Sequence, residues 1–75
     1  MRTLKDAEEG ERVKVISVYG DRTLRRRLMD MGILKGSDIQ VVRVAPLGDP
    51  VEFLVRGYKL SLRKKDAEMV GIEAL

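Results

Sequence analysis

The sequence predicts a mainly β fold, a small barrel of about five antiparallel strands with one inserted α-helix over about residues 21–31. Three observations point to it. Short runs that alternate apolar and charged residues recur between turns bearing glycine or proline, the pattern of half-buried strands. One segment, Asp21 to Ile33 (DRTLRRRLMDMGI), carries the period of a helix instead. Finally, 75 residues without a cysteine can neither stack two full sheets nor staple a thin core. The economical solution is a strongly bent antiparallel sheet that closes on itself and leaves little exposed edge.

In chain order, Thr3 to Glu9 (TLKDAEE) suits a short turn of helix, with Thr3 as its cap, Leu4 and Ala7 turned inward and Gly10 as its end. From Arg12 the run RVKVISV alternates Val13 and Val15 with Arg12 and Lys14, which makes a first strand. Tyr19, Gly20 and Asp21 form the loop into the helix. The Asp21 carboxylate can accept a first-turn N–H, and its charge suits the positive end of the helix dipole. Leu24, Leu28 and Met31 stand at i, i+4 and i+7, one stripe against a core. Gly32 closes the helix in a left-handed conformation, so that Ile33 turns back onto the core.

Leu34 to Asp38 is a turn, and Ile39 to Val44 (IQVVRV) a second strand with Ile39 and Val41 on one side. Val51 to Arg56 (VEFLVR) is a third, in which Phe53 and Val55 share a face although Leu54 interrupts the alternation. Between them, Ala45 to Pro50 (APLGDP) is a constrained loop, with two prolines lacking backbone donors and a glycine permitting positive φ. Gly57-Tyr58 is a tight hairpin with glycine at the first turn position, leading into Lys59 to Arg63 (KLSLR), with Leu60 and Leu62 in and Lys59, Ser61 and Arg63 out. Lys64 to Glu68 (KKDAE) suits a single helical turn, and Met69 to Glu73 (MVGIE) is the closing strand. The expectation is one domain over residues 1–75, an SH3-like barrel with the helix packed at one end.

Composition narrows the chemistry. The net charge of +3 comes from 15 basic and 12 acidic residues, so local clusters matter more than the total. Every apolar stretch is broken by a charge within a few residues, so neither a secretory segment nor direct membrane insertion is expected. The lack of cysteine fits the cytoplasm. Histidine is absent as well, which removes the usual zinc ligands, the commonest general base and the best nucleophile together. Glu8, Glu9 and Glu11 cluster near a turn, but such neighbours on a solvated surface usually repel each other and bind nothing. Ser17, Ser37 and Ser61 have no identifiable base, and no phosphate-cradling glycine motif is present. No catalytic residue, cofactor or metal site is therefore expected. Binding is the expected occupation.

The surface for it is suggested by the outer side of the helix, where Arg22, Arg25 and Arg26 surround Met29. One explanation is plain: arginine forms helices well, Arg26 pairs with Asp30 at i+4 for about 0.2–0.5 kcal/mol, and exposed apolar residues are common. The other is a docking patch, since an apolar anchor inside a charged rim is how interfaces are built. Leu47 and Tyr58 are further partner-binding candidates. For Leu47 a loop residue folded over the barrel end is preferred to a contact, and for Tyr58 a ring lying across the sheet edge stands level with one.

The string RRRLMDMGILKGSDIQVVRVAPLGDPVEFLVRGYKLSLRKKDAEMVGIE, preceded by TLKDAEEGERVKV, resembles the FeoA family of small ferrous-iron-transport accessory proteins. The likeness is carried by Arg27-Leu28, Met31-Gly32-Ile33, Gly36, the Ala45 to Pro50 loop, Gly57-Tyr58, and Leu62-Arg63 followed by Ala67. It implies an SH3-like barrel in the cytoplasm, not an enzyme, that acts by protein–protein interaction on the cytosolic part of the membrane ferrous iron transporter FeoB. A similar module forms the C-terminal domain of iron-dependent repressors, whose DNA-binding and dimerisation segments do not fit in 75 residues. Two alternatives remain open. A small barrel with a basic helix could bind nucleic acid, although an aromatic content of 4% leaves few platforms for stacking bases. A weak ferrous-ion carrier is suggested by the family's pathway alone. Met29 or an exposed strand edge could also support weak self-association.

Overall fold

Short runs rich in apolar residues become five antiparallel strands in the computed structural model, which describes residues 1–75. The strands are β1 (Arg12–Val18), β2 (Asp38–Val44), β3 (Val51–Val55), β4 (Tyr58–Leu62) and β5 (Val70–Ala74). Helix α1 (Arg22–Asp30) lies between β1 and β2, the one-turn α2 (Lys64–Ala67) between β4 and β5, and a 3₁₀ turn (Leu4–Asp6) precedes β1. The strands form a single sheet in the order β4-β3-β2-β1-β5. Register shifts between Val15 and Ser17 of β1 and between Val41 and Arg43 of β2 add local twist. Such bulges let short strands wrap around one core, and α2 spans the step from one end of the sheet to the other. The fold is the SH3-like barrel that the strand pattern predicts.

Period-2 burial builds its interior. Val13, Val15, Ile39, Val41, Phe53, Val55 and Leu62 are all buried, while Lys14, Arg43 and Ser61 are exposed. Phe53, with no exposed surface, is the largest side chain in this core. α1 contributes Leu28, also fully buried, with Leu24 and Met31 packed at the margin. Asp21 caps α1 by accepting the Leu24 N–H at 2.8 Å. At the other end Gly32 takes φ +92°. The Ile33 N–H then reaches the Leu28 carbonyl at 3.0 Å, and the Gly32 N–H reaches that of Met29 at 2.9 Å. This is a Schellman closure, and it brings Ile33 against Leu28 in the core.

Four expectations shift. The helix expected over Thr3 to Glu9 shrinks to the 3₁₀ turn, because Thr3 bridges Gly71 of β5 and the chain is extended again at Ala7. The β3–β4 hairpin turns on Arg56 and Gly57, with φ of +52° and +84°, so glycine takes the second position and Tyr58 opens β4 opposite Val55. Two positive φ angles make it the type I′ turn that matches strand twist. The last strand begins at Val70, because the Met69 N–H is used to close α2 on the Asp66 carbonyl at 3.1 Å.

The fourth shift concerns the acidic cluster, which is not idle. Glu11 receives both arms of the Arg2 guanidinium at 2.8 and 2.7 Å and the Glu8 N–H at 3.0 Å. Glu9 accepts the Val44 N–H at 3.0 Å. The Arg2 hydrogen bonds, helped by the Glu8 N–H, hold the Glu11 carboxyl down at about 2.

Candidate partner-binding groove

The site arises because β2 leaves β1 early. Their ladder runs only from Arg12 to Lys14. Val15 then exchanges bonds with the following turn, its N–H donating to the Ser37 carbonyl at 2.9 Å and its carbonyl accepting the Gly36 N–H at 2.7 Å. That turn is locked by the buried Ser37 hydroxyl, which accepts the Leu34 N–H at 3.1 Å and donates to the Gly32 carbonyl at 3.0 Å. Beyond it, the edge of β1 over Ile16, Ser17 and Val18 faces α1 instead of a strand.

Between them lies a groove of about 790 Å³. α1 lines it with Arg22, Arg25, Arg26, Met29 and Asp30, and the segment after the Schellman turn adds Ile33, Leu34 and Lys35. Met29 is 55% exposed beside a Leu28 with no exposure, so the two sides of the helix separate cleanly. Ile16, Met29 and Leu34 lie outside the core cluster and meet in the groove. Four cations and a single carboxylate line it. The expected Arg26–Asp30 pair is not formed. The ion pairs are Arg2–Glu11, Lys5–Glu68 and Arg27–Asp66, the last at 2.9 Å tying α1 to α2. An exposed pair at i+4 gains too little to hold two long side chains in one geometry, and the three groove arginines take no carboxylate partner.

Four of the six candidates, Arg22, Arg25, Arg26 and Met29, thus come together, and two do not. Leu47 is 96% exposed at the tip of its loop instead of folding over the barrel end. The loop satisfies its own backbone, with Gly48 N–H on the Ala45 carbonyl at 2.7 Å and the Lys64 N–H on Asp49 at 2.9 Å, and so leaves the tip outside. Tyr58 is 75% exposed at the head of the terminal strand β4. Neither lines the groove. The sequence reasoning missed Ile16, Val18, Leu34 and Lys35. A legible sign existed in Val15-Ile16-Ser17-Val18, which puts apolar residues on both faces of one strand as a bulge does.

The profile of the FeoA domain family matches residues 2–74. Over 72 residues the chain is 35% identical to the Fe(2+) transport protein A/Fe(2+) transporter FeoB fusion protein of Porphyromonas gingivalis strain ATCC BAA-308 / W83. That match covers 96% of this chain and spans only 8% of the fusion protein. The solution structure of FeoA from Chlorobium tepidum superposes with a TM-score of 0.92 at 39% identity, covering 99% of this chain and 70% of that one. FeoA of Stenotrophomonas maltophilia, described as a prokaryotic SH3 domain protein and solved with zinc, superposes at 0.85 with 26% identity, covering 97% and 91%. The usual zinc ligands, histidine and cysteine, are absent from this chain, and no three acidic side chains converge.

Proposed function

We propose, from the premise that this chain belongs to the FeoA domain family, that it is a non-enzymatic cytoplasmic accessory of ferrous iron transport that binds the cytosolic part of the transporter FeoB. The observation that carries this is the relative in which a matching stretch and FeoB belong to one fusion protein. Two modules that work in contact gain from fusion, because a tether raises their effective concentration. The groove supplies a surface suited to the contact. Its apolar floor of Ile16, Met29 and Leu34 is rimmed by guanidinium groups, and arginine and methionine are both enriched at interfaces.

No helix of the chain is long and apolar enough to cross a membrane. Calorimetric titration against the cytosolic part of FeoB from the same organism tests the proposal. Saturable binding is expected, weakened by about tenfold or more when Arg26→Glu and Met29→Glu are combined, because an anchor and a complementary charge are lost together. Unchanged affinity in the double variant removes the groove from the interface. Absence of binding by the unaltered chain removes FeoB.

A further inference from the structure

The groove has one wall that side chains do not account for, the free edge of β1. Tyr19 donates its N–H to the Met69 carbonyl at 2.7 Å, and Val18, one residue earlier, pairs with Val70. Backbone direction alternates along a strand, so the Val18 N–H and carbonyl point away from β5. The bulge at Ile16 keeps them on the side that Val15 uses. Val15 is satisfied there by Gly36 and Ser37, whereas at Val18 the ladder with β2 has already ended at Lys14. An unpaired strand edge, an apolar floor and an excess of cations thus share one cleft.

We infer that this cleft takes an extended acidic segment of the partner protein, which adds as a short strand to the edge of β1 at Ile16–Val18. The inference rests on the groove being the partner-binding site and specifies what enters it. Main-chain bonds to Val18 supply a sequence-tolerant part of the affinity, and alternate side chains supply the rest. Those facing down meet Ile16, Met29 and Leu34, and those facing out meet Arg22, Arg25, Arg26 and Lys35. Carboxylates suit the second set, because guanidinium groups grip them in bidentate fashion. A volume of about 790 Å³ lies in the range of about 300–1,000 Å³ usual for ligand clefts, enough for a few extended residues and too little for a folded domain. Its concavity favours a chain over a flat lipid surface.

The test uses the full chain and a fluorescein-labelled heptapeptide alternating glutamate with valine, read by fluorescence polarisation and by amide hydrogen exchange. Saturable binding is expected, with the Val18 amide gaining about tenfold protection or more and affinity falling about tenfold in Arg25→Glu/Arg26→Glu. N-methylation of alternate peptide amides removes strand donors and is expected to abolish binding. Equal binding of the N-methylated peptide, or of one with lysine in place of glutamate, overturns the inference, as does failure of the unmodified peptide to saturate. So does binding to phosphatidylglycerol vesicles that displaces the peptide. If FeoB binds in a manner sensitive to Arg26 and Met29 while Val18 stays unprotected, the proposed function stands and strand addition fails. If the peptide behaves as expected and FeoB does not bind, strand addition stands and another protein is the partner.

Discussion

Leu28→Ala and Met29→Ala change adjacent residues of α1 and are expected to separate folding from binding. Leu28 is the one fully buried residue of the helix, packed in the cluster with Ile33 at the Schellman closure. Truncating it removes apolar contacts and leaves a hole that a β-sheet core cannot collapse around, a change that costs about 2.7–5 kcal/mol in comparable sites. A chain of 75 residues has about 4–11 kcal/mol of net stability in all. At about 4–8 °C per kcal/mol for a domain of this size, the unfolding midpoint falls by at least about 10 °C. Met29, more than half exposed and outside the core, is expected to change stability by less than about 0.5 kcal/mol. Thermal and urea unfolding followed by circular dichroism measure both. The assignment of the two helix faces is refuted if Met29→Ala lowers the midpoint as far as Leu28→Ala does, or if Leu28→Ala moves it by only a degree or two.

Three further outcomes follow from the geometry. Glu11, with its carboxyl held at about 2 by Arg2 and Glu8 against an ordinary value of 4.5, contributes stability that is complete above its unfolded value and is lost as pH falls through the folded one. Urea midpoints measured across that acid range are expected to drop less steeply in Glu11→Gln than in the unaltered chain, and parallel curves would contradict the clamp. Gly71→Ala places a methyl group on the Ser17 hydroxyl and close to the Met1 sulfur, so a loss of about 1–3 kcal/mol is expected, partly restored by adding Ser17→Ala; denaturant unfolding of single and double variants shows whether the two couple. Arg56→Asn, at φ +52° in the type I′ turn, is expected to raise stability by about 0.5–1 kcal/mol, because asparagine tolerates that conformation better than arginine does, and a lowered melting point would tell against the turn assignment.

How far the sequence could be read depended on whether a feature was local. Asp21 as cap, Gly32 as closure and the Leu24, Leu28, Met31 stripe depend on neighbours within one or two turns, and all appear as expected. The strands followed from alternation for the same reason. What escaped was set by pairing between distant segments. The point at which β2 leaves β1 is decided by the Ser37 turn after the helix, so the groove wall at Ile16 and Val18 had no signature beyond a break in alternation. Glu9 and Glu11 looked solvated because their partners, Val44 and Arg2, lie 35 and 9 residues away. Arg27 found Asp66 across 39 residues while Arg26 ignored Asp30 four places on, a reminder that helical spacing proposes a pair and tertiary placement decides it.

The N-terminal strap gives the barrel's two outer borders different fates. Along β5, Thr3 bridges Gly71 and the Arg2 carbonyl accepts the Ile72 N–H at 3.1 Å, so that border is occupied by the chain itself. Along β4 no such cover exists, and the exposed lysine at position 59 stands there as a charged deterrent to foreign strands. Acid that protonates Glu11 breaks its ion pair with Arg2 and so loosens the strap, and the β5 border is the one that low pH is expected to uncover.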